Sequence, residues 1–198
     1  EDLIVEISYI DGCLKISNTG TFFDEDGIKA IVQGNNSPKK GKYIGNKGTG
    51  FRSILNWASS VRIFSGEFSV EFSKSYAKEI FDTIKDTPQI AKQLQREKTL
   101  YIPMLAVPRN IPHDRPIDRT TIEVEVDPKK SQDEYSVRKQ LETIDLRILL
   151  FLPNVSEISI TTDDKHVVYQ RSKTDSLIEY DFSWSDITLS KVVDNEIE

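Results

Sequence analysis

Residues 35 to 50, NNSPKKGKYIGNKGTG, follow neither the period of a helix nor the alternation of a strand, and they close on Gly45, Gly48 and Gly50. A loop this long inside a folded domain belongs to the class that moves or carries function. The residues after it, FRSILNWASS, place Phe51, Ile54, Leu55 and Ala58 at helical spacing, so the glycines are expected to lead into a helix. Glycine lets backbone N–H groups approach a ligand, and a helix start adds free N–H groups and the positive end of its dipole, a geometry suited to phosphate. From Gly27 to Gly66 the chain holds Lys29, Lys39, Lys40, Lys42, Lys47, Arg52 and Arg62 and not one Asp or Glu. The whole chain sets 26 Lys and Arg against 32 Asp and Glu, for a net charge of -6. The basic stretch is therefore set apart, and coating of nucleic acid by bulk charge is not expected. A soluble, flexible loop is the competing reading of the same residues.

The familiar phosphate loops do not fit. A P-loop has Lys and Ser or Thr directly after its last glycine, where Phe51 and Arg52 stand. The dinucleotide fingerprint runs G-x-G-x-x-G after a strand, whereas the spacing here is reversed and follows a loop. The kinase loop needs a glycine where Ser53 sits.

Around this loop the sequence reads as strands mixed with short helices. LIVEISYI and CLKISN flank Asp11-Gly12 as a hairpin, DEDGIKAIVQG is a short helix ending at Gly34, and VRIFSGEFSVEFS is a hairpin around Ser65-Gly66. Thr87-Pro88 opens a polar helix ending near Lys98, and prolines 103, 108, 112 and 116 keep the next stretch extended. RTTIEVEV is a strand, residues 133–152 a single helix, VSEISITTDDKHVVYQRS a hairpin turned at Asp163-Asp164, and LIEYDFSW one further strand.

Cys13 is the only cysteine, which excludes an internal disulfide and favours a reducing compartment. No apolar run approaches the ~20 residues of a membrane span, so the chain is expected to be soluble and intracellular, without a membrane or nucleic-acid partner. It opens on strand-like sequence without an initiator methionine and is expected to be part of a larger polypeptide. His113 and His166 have no cysteine or acid cluster at ligand spacing, so no metal centre is expected.

Asn18-Thr19-Gly20 ends a strand with a polar side chain that can face a base edge, although a turn is the plain reading. The blocks ISNTGTFF, SPKKGKYIGNKGTGFRSIL and DRTTIEVEV, in that order, resemble the nucleotide-binding blocks of the Bergerat-fold (GHKL) ATPases. That group includes DNA gyrase, MutL, sensor histidine kinases and the large heat-shock chaperones. The likeness is strongest to the sacsin-type N-terminal ATP-binding domain and spans roughly residues 3 to 165, since LRILLFLPNVSEISI is similar to the segment that follows the nucleotide fold in sacsin-like proteins.

The resemblance implies an α+β two-layer sandwich in residues 1–128, a mainly antiparallel sheet with helices on one face, followed by an α/β segment in residues 129–198. It implies ATP as ligand, with Mg2+ arriving on the nucleotide. Asn18 stands where the family has an aspartate that accepts from the adenine amino group. This is a departure, because the Asn amide also offers donors. Gly20 would pass close to the base, and Thr120 would support the adenine end. Gly45, Gly48, Thr49 and Gly50 would close over the phosphates. Lys39 and Lys47 would contact phosphate or remain solvated lid charges, and Phe23 and Phe51 would line the pocket or belong to the core. The family's catalytic glutamate and magnesium-binding asparagine lie on a helix before the strand that opens this chain, so no residue here is assigned hydrolysis. The implied function is an ATP-binding, ATP-hydrolysing module of a chaperone-like protein with a protein client. The alternatives are a nucleotide-sensing regulator that does not hydrolyse, and an interaction domain that has kept the fold and lost the ligand.

Overall fold

The computed structural model describes residues 3–33, 49–54, 57–97, 100–129, 136–174, 177–179, 182–184, 186–194 and 196–197. They form a mixed α/β protein whose strands pair mostly antiparallel. By its contacts the chain divides into two compact units, Glu1–Thr21 together with Pro128–Glu198, and Phe22–Asp127.

The first strands, β1 (Leu3–Ile10) and β2 (Cys13–Asn18), form the expected hairpin, with Ile10 opposite Cys13 and Val5 opposite Asn18. Asp11 and Gly12 both take positive φ, 50° and 76°, as the tight two-residue turn of a twisted hairpin demands.

In the unit Phe22–Asp127, α1 (Glu25–Gln33) starts where Asp24 Oδ1 accepts from Gly27 N at 2.7 Å. Glu25 and Asp26 complement the positive end of that helix, and Ile28 and Ile31 are its buried residues. The helix after the glycines, α2, covers only Thr49–Ser53. The expectation that helical spacing runs on to Ala58 is corrected: Ala58 is fully buried and opens β3 (Ala58–Ser65), because Trp57 O is taken by Asp127 N at 2.7 Å and the chain joins a sheet. Gly66, at φ 58°, turns β3 into β4 (Phe68–Ser73).

A helix without a counterpart in the sequence reading, α3 (Lys74–Ile84), follows at once. Ser73 ends β4 in extended geometry and its hydroxyl accepts from Tyr76 N at 3.2 Å, which converts a strand end into a helix start. Thr87 precedes α4 (Pro88–Leu94), but its hydroxyl donates back to Ile84 O instead of capping. A 3-10 turn at Met104–Ala106 buries Met104 and Leu105, and β5 (Arg109–Asn110) and β6 (Thr120–Val126) complete the unit.

The strand order in this unit is β6-β3-β4-β5. Register sorts its side chains into two faces. On one, Val61 stands between Phe72 and Val124, and Ile63 between Val70 and Ile122. Val61, Ile63 and Phe72 are wholly removed from solvent. The 3-10 turn and α3 pack on β4, and α1 packs on the 3-10 turn.

In the other unit the single helix expected over residues 133–152 is corrected to two short ones, α5 (Val137–Glu142) and α6 (Ile148–Phe151). Asp145 breaks the run, since its Oδ1 accepts from Arg147 N at 2.8 Å, a local bond that competes with the helical ladder. The hairpin at Asp163-Asp164 forms as expected from β7 (Val155–Thr162) and β8 (His166–Lys173). LIEYDFSW, expected as one strand, is instead the antiparallel pair β9 (Leu177–Glu179) and β10 (Phe182–Trp184). The last elements are β11 (Ile187–Val193) and β12 (Glu196–Ile197).

Strand order in this unit is β12-β11-β8-β7-β1-β2, with β1 and β7 parallel. Leu149, Ile158, Ile160, Val167 and Tyr169 lie in its core. Around the end of α6, Arg171 donates to Leu149 O, Leu152 O and Pro153 O. No helix among the described residues is long and apolar enough to cross a membrane.

Candidate functional site

β3 and β6 bring Ser65 directly opposite Thr120. Their hydroxyls lie 2.7 Å apart, and Ser65 Oγ also accepts from Phe23 N at 2.8 Å. Both residues are buried, at 2% and 3% exposure, and by the two-residue period they share the face of Val61 and Ile63. Two hydroxyls that share one hydrogen bond use one O–H proton, and the other proton has no acceptor among the described residues. This end of an otherwise apolar face thus holds one spare buried donor.

Phe23 enters the same corner through its backbone N–H. Its ring lies against Gly27, where a Cβ would come within 2.8 Å of Phe23 Cδ1, so the glycine is what lets the ring sit on the first turn of α1. Phe51 is half-buried on α2, and the next residue, Arg52, donates to Ile31 O at 3.3 Å, tying α2 to the end of α1. Ser65 is the residue that sequence reasoning missed: Ser-Gly reads as a turn signal, and only the pairing of VRIFS with TTIEVEV shows which residue faces Thr120.

Asn18 and Gly20 belong to the other unit. Asn18 is half-buried at the end of β2, with Nδ2 donating to Thr19 O at 3.1 Å. One amide proton is thereby engaged, and Oδ1 accepts no hydrogen bond among the described residues. Thr19 closes the hairpin by donating its N–H to Ile4 O and accepting Ile4 N at its hydroxyl, each at 3.1 Å. Gly20 has φ 125°, and a Cβ there would lie 2.9 Å from Leu3 Cδ2. Backbone conformation and Leu3 together account for this glycine without a ligand. Thr49 and Gly50 form the start of α2, while Lys39, Gly45, Lys47 and Gly48 lie outside the described residues.

The other face of the β6-β3-β4-β5 sheet carries a ladder of charge. Register sets Arg109, Glu71, Arg62 and Glu123 side by side across the four strands. Glu71 and Glu123 are buried, at 5% and 7% exposure. Arg62 Nε meets Glu71 Oε1 at 3.1 Å, Arg109 donates to Glu71 Oε2, and Arg115 Nε meets Glu123 Oε1 at 2.7 Å. Burial pushes the Glu71 carboxyl up, but the hydrogen bonds from Arg62 and Arg109 outweigh it and hold the group below its ordinary value. Arg115 also stacks on the Phe64 ring at 5.1 Å, and His113 meets that ring edge-on at 5.7 Å. Glu71 and Glu123 are thus both neutralised within the sheet, which makes the ladder structural. Among the described residues no group of three His, Cys, Asp or Glu side chains could hold a metal ion.

Comparison of the chain with protein-family models and with curated proteins finds no match to either.

Proposed function

We propose that this chain is an ATP-binding module of the Bergerat type within a larger, chaperone-like intracellular protein. Nucleotide with its Mg2+ would be held at the Ser65–Thr120 end of the sheet, the glycine and lysine loop would close on the phosphates, and a protein client would be the downstream partner. ATP hydrolysis belongs to this reading as the activity that the resemblance implies, with no catalytic residue assigned. The observation that carries the proposal is the buried Ser65–Thr120 pair with its one spare O–H donor. An adenine ring offers N1 as an acceptor that this donor can meet, where guanine presents N1–H.

Thermal unfolding with ATP or GTP in the presence of Mg2+ tests the reading. A ligand that binds only the folded state at a hundred times its Kd stabilises by about 2.7 kcal/mol, which raises Tm by roughly 5–11 °C for a chain of this size. Thr120→Val preserves shape and removes a hydroxyl, and is expected to weaken ATP about five- to tenfold. No rise with ATP at millimolar concentration, or an equal rise in Thr120→Val, would refute the assignment.

A further inference from the structure

The unit built from Glu1–Thr21 and Pro128–Glu198 has a cavity of its own, about 290 Å3 in volume, unconnected with the nucleotide reading. Its apolar lining comes from Leu141, Ile144 and Leu146 in the α5–α6 stretch and from Ile160 and Val167 on β7 and β8. The Tyr169 hydroxyl donates to Ile144 O at 2.8 Å and so pins the α5–α6 connection to β8. The cavity is therefore formed in advance of any ligand.

Two cations and two carboxylates line it. Lys165, in the β7–β8 turn, and Lys191, on β11, both line the cavity. The two carboxylates that also line it, Glu142 and Asp145, are engaged by arginines that do not: Arg138 lies 3.4 Å from Glu142, and Arg147 Nε lies 2.7 Å from Asp145. The exposed ammonium of Lys165 has no ion-pair partner among the described residues. A cavity with an apolar wall and an unpaired cation on its polar rim complements a molecule with an apolar body and a single negative charge.

We propose that this cavity binds a small amphipathic carboxylate, its ring or short acyl chain between the α5–α6 connection and β7–β8, its carboxylate on Lys165. The volume lies at the lower edge of small-ligand sites, about 300–1,000 Å3, which suits a single ring. A compact ammonium, without an arginine fork or a helix start, matches a monoanionic carboxylate better than a phosphate.

The test is a titration of the 198-residue chain, labelled at Ile, Leu and Val methyl groups, with 4-phenylbutyrate and with its neutral amide, 4-phenylbutanamide, followed by NMR. The methyls of Ile144, Ile160 and Val167 are expected to shift and saturate with the carboxylate. The amide, and the carboxylate with Lys165→Gln, are expected to bind about fivefold more weakly. Lys165 is exposed in a turn, so this variant keeps the spectrum of the parent. Absence of saturable shifts up to ~10 mM, equal binding of amide and acid, or unchanged binding by Lys165→Gln would each overturn the proposal.

Discussion

Replacing Glu71 by Gln tests the reading of the charge ladder as structure. The carboxylate accepts from two arginines, Arg62 at one oxygen and Arg109 at the other. Glutamine keeps one acceptor but turns an N–H group towards an arginine N–H, so one charge-assisted bond is lost and a donor faces a donor. A hydrogen bond to a charged group contributes about 1.5–3 kcal/mol. Breaking a fully buried pair costs about 3–5 kcal/mol, but Arg62 and Arg109 are 46% and 45% exposed and water can take up their free donors. The expected loss is therefore the lower range, about 1.5–3 kcal/mol at neutral pH, or roughly 3–12 °C in Tm.

Linkage fixes the pH dependence. A carboxyl held below its ordinary value of 4.5 contributes stability that is present above that value and is lost as pH falls through the lower, folded-state value. The gap between parent and Glu71→Gln should be full at pH 7 and close on acidification below about 4.5. Urea unfolding followed by Trp57 fluorescence, in a Trp184→Phe background and at constant ionic strength, reports on the unit that holds Glu71. A gap that stays constant down to pH 3, or a variant as stable as its parent, would show that the arginines are not held by this carboxylate.

Leu149 is wholly buried in the other unit, so Leu149→Ala should cost about 2–5 kcal/mol in the same urea assay with Trp184 as the probe, and a loss under 1 kcal/mol would contradict the packing described. Asp145 should titrate at about 2, well below its ordinary 3.8, because Arg147 donates to it from both side chain and backbone. Carboxyl-carbon NMR of Arg147→Ala should show its midpoint moving up towards 3.8, and an unmoved midpoint would assign the shift elsewhere.

Hairpins were legible in the sequence because their cause is local: Asp11-Gly12 and Asp163-Asp164 each join two β-type runs through residues suited to a turn, and around Ser65-Gly66 the turn falls one residue on, at Gly66-Glu67. The break at Asp145 and the start of α3 at Ser73 were not, since each hangs on one side-chain bond to a nearby N–H that period counting does not see. Nothing local in EFSVEFS or TTIEVEV marks Glu71 and Glu123 as buried. Only the non-local register of β5-β4-β3-β6, and the return of Arg115 to the sheet, makes them buried partners of arginine. Of the candidate site, Thr120 was marked by resemblance, but Ser65 required the pairing of two strands distant in sequence.

The parallel pairing of β1 with β7 joins Leu3 to Val155 across the whole of Phe22–Asp127. At a translation rate of about 5–20 residues per second, the ~150 residues between them take roughly 8–30 s to emerge. Only over the last ~29 residues of that interval does the continuous unit have all of its own strands, and throughout it the β1–β2 hairpin waits with one β1 edge unpaired. An open strand edge is a template for wrong pairing and for chaperone capture, so a hazard in the biogenesis of this unit falls on β1 and ends only when β7 arrives.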